Sequence, residues 1–159
     1  MPYIPFHIRL LDALEAALAA GLNAELVEVG QQPLPEIAFQ ARDFQAPLAE
    51  TVAVYYDAYD PVLQAHHWTD VAIMFEVHLV GMGTSPRAIN RRLMYLEFAT
   101  RQVLSKQQTL GGLTRTIFVG TSYPWKTDWE KKNSPYNMTL VPMICQPDER
   151  IANPERSLP

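Results

Sequence analysis

Trp68-Thr69-Asp70-Val71-Ala72-Ile73-Met74-Phe75-Glu76-Val77-His78-Leu79 alternates along its whole length. Val71, Ile73, Phe75, Val77 and Leu79 fall on one side of an extended chain. Asp70, Ala72, Met74, Glu76 and His78 fall on the other, because successive side chains of a strand point to opposite faces. The stretch therefore predicts a strand over 68–80 with one face on a core and one polar face. Upstream, residues 51–59 alternate in the same way, with Val52, Val54 and Tyr56 against Ala53, Tyr55 and Asp57. Asp60-Pro61 predicts a turn, and a connection of about eight residues between two strands predicts an antiparallel pair.

Downstream, Gly81 and Gly83 break the strand, Thr84 or Ser85 can cap a helix, and Pro86 suits its first position. Ile89, Leu93, Leu96, Ala99 (or Thr100), Val103 and Leu104 then follow the helical period over 86–106, with Arg87, Arg91, Arg92 and Arg101 mostly off that stripe. Gly111-Gly112 forms the exit, and strands follow over 114–121 and 137–146. Pro142 inside the last of these predicts an edge or bulged strand. At the start of the chain, Ile8, Leu11, Leu14 and Leu18 predict a helix over 5–20 that Gly21 stops. Acidic and apolar residues alternate over 25–29, which predicts a short strand. Residues 30–47, with Pro33, Pro35 and Pro47, read as a long irregular excursion in which Ile37 and Phe39 add a short strand or turn.

Helices that bury one stripe on an antiparallel sheet give an α+β, two-layer sandwich. The expectation is a mostly antiparallel sheet of about four to five strands, with an N-terminal helix and one long helix packed on it. The organisation is one domain over 1–146 and an extended C-terminal arm over 147–159. A chain of 159 residues is long enough to build its own core. The net charge of −4 argues against a protein whose main task is gripping phosphate backbones, which needs a basic surface, and leaves room only for a local basic patch. A single cysteine, Cys145, excludes an internal disulfide. No apolar run reaches the roughly 18 residues of a membrane span, so no membrane contact is expected.

The sequence holds no glycine-rich phosphate loop, no cysteine pair for zinc and no nucleophile-elbow pattern. Cys145, between Ile144 and Gln146 in a predicted strand, reads as a buried thiol rather than a nucleophile. His66, His67 and Asp70 lie close together, and Glu76 and His78 share a strand face. These residues offer either a metal- or ligand-binding site or a polar face turned to an interface. No pair of acid and base side chains has a spacing that requires catalysis, so no catalytic residue, metal or cofactor is assigned. The helix arginines Arg87, Arg91, Arg92 and Arg101 offer a nucleic-acid contact or, as the net negative charge favours, a solvated face or partners for acidic residues of a neighbouring subunit. The connection over 122–136 carries Tyr123, Trp125, Lys126, Trp129, Lys131 and Lys132. Aromatic residues of this kind anchor interfaces, and this is the expected contact surface, the alternative being that both tryptophans fold back on their own sheet.

Element order and strand pattern together resemble a known family. The leading helix carries Asp12-Ala13-Leu14-Glu15-Ala16-Ala17-Leu18, and the strand Val52-Ala53-Val54-Tyr55-Tyr56 follows it. The middle strand opens on Trp68 and contains Ile73-Met74-Phe75-Glu76-Val77, and one long helix and two strands close the chain. This order over roughly residues 6–145 resembles the tail terminator (tail completion) proteins of long-tailed bacteriophages, the lambda-type minor tail family. The resemblance implies a structural virion protein and no enzyme. Such a protein forms a ring, usually a homohexamer, that caps the tail tube, stops its polymerisation and joins it to the head–tail connector or neck protein. DNA passes through the lumen without specific binding. On that reading Tyr123, Trp125, Lys126, Trp129, Lys131 and Lys132 face the tube or connector. Asp70, Glu76 and His78 lie at the subunit seam or lumen, and Tyr3, Ile4 and the C-terminal segment are arms. The segments over 30–50 and 122–136 and the C-terminal arm are longer than the family pattern. A head-completion or neck adaptor of the same virion is therefore an alternative, and a small α+β metal- or ligand-binding domain is the other.

Overall fold

The computed structural model describes residues 4–35, 50–63, 69–124 and 136–147. Two α-helices, α1 (Phe6–Glu28) and α2 (Pro86–Lys106), lie with five strands: β1 (Thr51–Leu63), β2 (Thr69–Met82), β3 (Thr114–Val119), β4 (Tyr123–Pro124) and β5 (Tyr136–Pro147). The sheet runs β1-β2-β5-β3, β4 pairs with β5 beyond the end of β3, and every pairing is antiparallel. Because β2 and β3 are both antiparallel to β5, they run the same way. Strands that run the same way cannot be joined by a tight turn, and α2 supplies the crossover while β5 inserts between them. The protein is an α+β fold, with helix packing on one side of an antiparallel sheet.

The core lies between the helices and one sheet face. Val52 and Val54 of β1, Ile73, Phe75, Val77 and Leu79 of β2, Ile117 of β3, and Val141, Met143 and Cys145 of β5 are buried with the helix stripes. The α2 stripe is the one its periodicity predicts, with Ala99 and Thr100 both buried. The Thr100 hydroxyl donates to the Leu96 carbonyl, 2.8 Å away, so its burial leaves no unpaired polar atom. At the start of α2 the Ser85 hydroxyl accepts from the Ala88 N–H, and Pro86 occupies the first turn.

Helix α1 departs from the sequence expectation. It continues through Gly21 to Glu28, and residues 25–29 form no strand. The buried stripe is Leu10, Leu14, Leu18, Leu22 and Leu26, whereas Ile8 is exposed and Leu11 half-buried. Gly21 lies close against α2: a Cβ there would lie 3.0 Å from Cγ2 of Val103. The half-buried Glu25–Lys106 ion pair ties the same helices together further along. Past the helix, Asn23 holds Leu34 by a double hydrogen bond, accepting from its N–H and donating to its carbonyl, each 2.7 Å, and so folds Leu34 into the core.

Two prolines also behave differently from expectation. Asp60-Pro61 is not a turn: β1 runs on to Leu63, with Pro61 opposite Val71, which an edge strand tolerates. A bulge between Tyr56 and Ala58 shifts the register there. Pro142 lies in an interior strand, not on an edge. Its carbonyl accepts from the Gly120 N–H at 2.8 Å, so the missing N–H of Pro142 faces the same side. On that side the facing Gly120 carbonyl, which the missing N–H would have served, accepts instead from the Arg101 guanidinium at 2.8 Å. The outer edge of β3 is covered by Gln108, whose side-chain oxygen accepts from the Ile117 N–H and the Thr116 hydroxyl.

The expected short strand at Ile37 and Phe39 lies outside the described residues, as do His66, His67, Trp68 and Tyr3. Pro147 closes β5, and the remainder of the proposed C-terminal arm lies outside the described residues.

Candidate functional site

The sheet face turned away from the helices carries the residues that the sequence singles out. Strand register sets them in rows. Ala53, His78, Leu140 and Tyr123 form one row, Tyr55, Glu76 and Pro142 the next, and Ala58, Met74, Ile144 and Phe118 the third. The first two rows hold a polar cluster. The Tyr123 hydroxyl donates to Oε1 of Glu76 at 2.6 Å. Oε2 of Glu76 lies 3.3 Å from Nε2 of His78, and the Tyr55 ring stacks on the imidazole with 4.2 Å between centroids. Tyr123 belongs to the expected tube-or-connector surface and Glu76 and His78 to the expected seam or lumen. The structure joins them in one cluster that links β4 to β2 across β5.

The electrostatics follow from this geometry. Burial lowers the His78 pKa, and the hydrogen bond and charge of Glu76 oppose that shift without cancelling it. The ring is therefore neutral at pH 7 and donates from Nε2 to the carboxylate. The Tyr123 phenol is pushed up to about 12, first by its hydrogen bond to Glu76 and then by burial and the charges of Glu76 and Asp57. An ultraviolet titration should accordingly find one tyrosine ionising near pH 12, and Glu76→Gln should move that step down towards the ordinary value near 10. A titration identical in the two proteins would show that the hydrogen bond does not hold the phenol.

The third row is apolar. Phe118 and Ile144 leave 54% and 38% of their surface exposed, and Met74 beside them is half-buried. The open face thus combines an exposed apolar row with a hydrogen-bonded polar cluster, the composition of a contact surface. Alternation in the sequence places Phe118 opposite Ile117 and Val119, but its meeting with Ile144 depends on the insertion of β5.

Asp70 lies in β2 at a register position opposite Val62. Trp125, Lys126, Trp129, Lys131 and Lys132 lie outside the described residues. Cys145 points to the core instead of the open face, and burial pushes its thiol up to about 12. Among the described residues no three His, Cys, Asp or Glu side chains converge as a metal site. Of the helix arginines, Arg92 is enclosed. It binds both oxygens of Glu50 at 2.9–3.1 Å and the Gln32 carbonyl at 2.8 Å, pinning the segments that follow α1 and precede β1 to α2. Arg101 pairs with Glu97 and donates to the Gly120 carbonyl. Sequence reasoning grouped these arginines with Arg87 and Arg91; only the packed partners separate the two kinds. No protein-family model matches the chain, and comparison with curated proteins finds no match.

Proposed function

We propose that this chain is a structural virion protein of a long-tailed bacteriophage, a tail terminator whose ring caps the tail tube. The observation that carries the reading is the open sheet face. One side of the sheet is filled by α1 and α2, while the other presents Met74, Ile144 and Phe118 beside the Tyr123–Glu76–His78 cluster. Such a face suits a protein that works by being covered. The order helix, two strands, long helix, closing strands is also the order on which the family resemblance rests. On this reading Tyr123 and the connection that follows it, with Trp125, Lys126, Trp129, Lys131 and Lys132, dock on the tube or on the head-side connector. Asp70, Glu76 and His78 border the lumen or seam. The net charge of −4 keeps the ring from gripping the DNA that passes through it.

The direct test adds the purified protein to tail-tube protein while the tube grows, with electron microscopy as the readout. Tubes that stop lengthening and carry a ring at one end are the expected result. Unchanged tube lengths with no bound ring would overturn the proposal, and binding to connector in place of tube would move the protein to the neck. Trp125→Ala combined with Trp129→Ala should abolish capping while leaving the circular dichroism spectrum intact. A double variant that unfolds under conditions where the wild type is stable would assign both tryptophans to the core.

A further inference from the structure

The solvent faces of the two helices carry stripes of opposite character. On α2, Arg87, Arg91, Met94 and Phe98 recur at i, i+4, i+7 and i+11, opposite the buried stripe. Met94 and Phe98 leave 69% and 43% of their surface exposed, large values for apolar residues on a charged helix. Arg87 and Arg91 are exposed, and neither makes a hydrogen bond or ion pair among the described residues, in contrast to Arg92 and Arg101. On α1, Ile8, Asp12, Glu15 and Ala19 recur at the same spacing, and Ile4, also exposed, stands just before the helix. Arg9 lies off this stripe. Asp12 and Glu15 make no ion pair among the described residues; partial burial raises the Glu15 pKa, and the nearby charge of Asp12 adds to that shift.

Set antiparallel, the two stripes match position by position. Ile4 meets Phe98, Ile8 meets Met94, Asp12 meets Arg91 and Glu15 meets Arg87. From Ile8 to Glu15 each step of three or four residues along α1 is answered by a step of three or four back along α2, which keeps successive pairs on the facing sides; Ile4 precedes the cap Pro5 and extends the row from outside the helix. A parallel setting keeps Asp12 on Arg91 and Ala19 on Phe98 but places Ile8 on Arg87 and Glu15 on Met94, so half of its pairs set a charge against an apolar side chain. The stripes cannot meet within one chain, because α1 and α2 already pack side by side through Gly21 and Val103 with these faces outward.

We propose that copies of this chain associate by laying the Ile4–Ile8–Asp12–Glu15 stripe of α1 antiparallel on the Arg87–Arg91–Met94–Phe98 stripe of α2 in the next copy. This deepens the ring reading above and rests on it for closure. A contact between two different faces leaves a free face at each end, and a rotation that closes turns the chain of copies into a ring. The apolar pairs supply burial, the charged pairs supply register, and the mismatches of Ile8 with Arg87 and Glu15 with Met94 disfavour the parallel setting.

The test is charge reversal, read by light scattering and analytical ultracentrifugation without any tail protein. Asp12→Arg with Glu15→Arg makes both stripes basic; Arg87→Glu with Arg91→Glu makes both acidic. Asp12, Arg87 and Arg91 are exposed and Glu15 is half-buried at the flank of the buried stripe, and circular dichroism should report an unchanged fold. Each variant alone should associate at least roughly a hundredfold more weakly than wild type, since facing like charges cost several kcal/mol. A one-to-one mixture should assemble again, with the two chains alternating, and the chain carrying all four reversals should assemble by itself. Two results would overturn the seam: folded reversal variants that assemble as well as wild type, or a mixture that stays at the 18.0 kDa monomer mass. Neither result touches the ring reading if the same proteins still cap growing tubes. Tube capping that fails while the reversal mixture assembles would instead remove the terminator reading and leave the seam standing.

Discussion

Phe75→Ala should lower the free energy of unfolding by about 3–5 kcal/mol, the cost of removing a large aromatic side chain from a packed core. Phe75 is 1% exposed in the middle of β2, between the helices and the sheet, and its ring meets the Tyr56 ring edge-on at 6.0 Å. A domain of this kind has only about 5–15 kcal/mol in total, so the variant should sit near the limit of folding at room temperature. Urea unfolding followed by circular dichroism gives the number. Phe75→Leu keeps most of the volume and should cost less than about 2 kcal/mol. Met74→Ala, one residue away on the open face, should cost no more than about 1 kcal/mol. Equal losses at positions 74 and 75 would contradict the assignment of faces.

Gly21→Leu is the second large effect. Glycine in mid-helix is weaker than alanine by about 1 kcal/mol, so helix propensity alone predicts that the substitution stabilises α1. The packing predicts the reverse. A Cβ at position 21 already lies 3.0 Å and 3.4 Å from the two methyl carbons of Val103, and a leucine side chain has nowhere to go without separating the helices. Overpacking of this sort costs about 1–3 kcal/mol, which outweighs the gain in propensity. Val103→Ala should recover part of the loss in the Gly21→Leu background while destabilising the wild type. That reversal of sign is the signature of a direct contact. A Gly21→Leu protein as stable as wild type would mean that α1 and α2 are further apart than this packing requires.

These two positions also mark the limits of sequence reading. Phe75 was legible as a core residue because a strand alternates with period two, and Val71 to Leu79 keep that period without interruption. Helix α2 was legible for the same kind of reason: its cap at Ser85, its proline at 86 and its apolar stripe are all local features. Gly21 was misread because its local signal, a helix stop, is worth less than the burial of Leu22 and Leu26 that follows if the helix continues. Pro142 was misread for a related reason. Its missing N–H excludes an interior strand only when the facing carbonyl goes without a donor, and Arg101 supplies one to the carbonyl of Gly120.

The candidate surface divides in the same way. Glu76 and His78 stood out as polar residues on one face of a buried strand, and Tyr123 as the first aromatic of a polar connection. Their meeting did not, because Tyr123 reaches Glu76 only once β5 lies beside β2 and β4 lies beside β5. The apolar row of Met74, Ile144 and Phe118 depends on the same insertion, and the enclosure of Arg92 by Glu50 depends on the chain returning over α2.

By itself the sequence determined the α+β class, the faces of β2, the span of α2 and the burial expected of Cys145. Each of these depends on spacing within one element, where the geometry of helix or strand leaves a single way to bury the apolar side. Only the tertiary structure decided the length of α1, the interior place of β5, the joining of Tyr123 to Glu76 and the separation of paired from unpaired arginines. Those outcomes depend on which distant segment fills the neighbouring position, and the free energy of that contact exceeds the local preferences that the residues carry on their own.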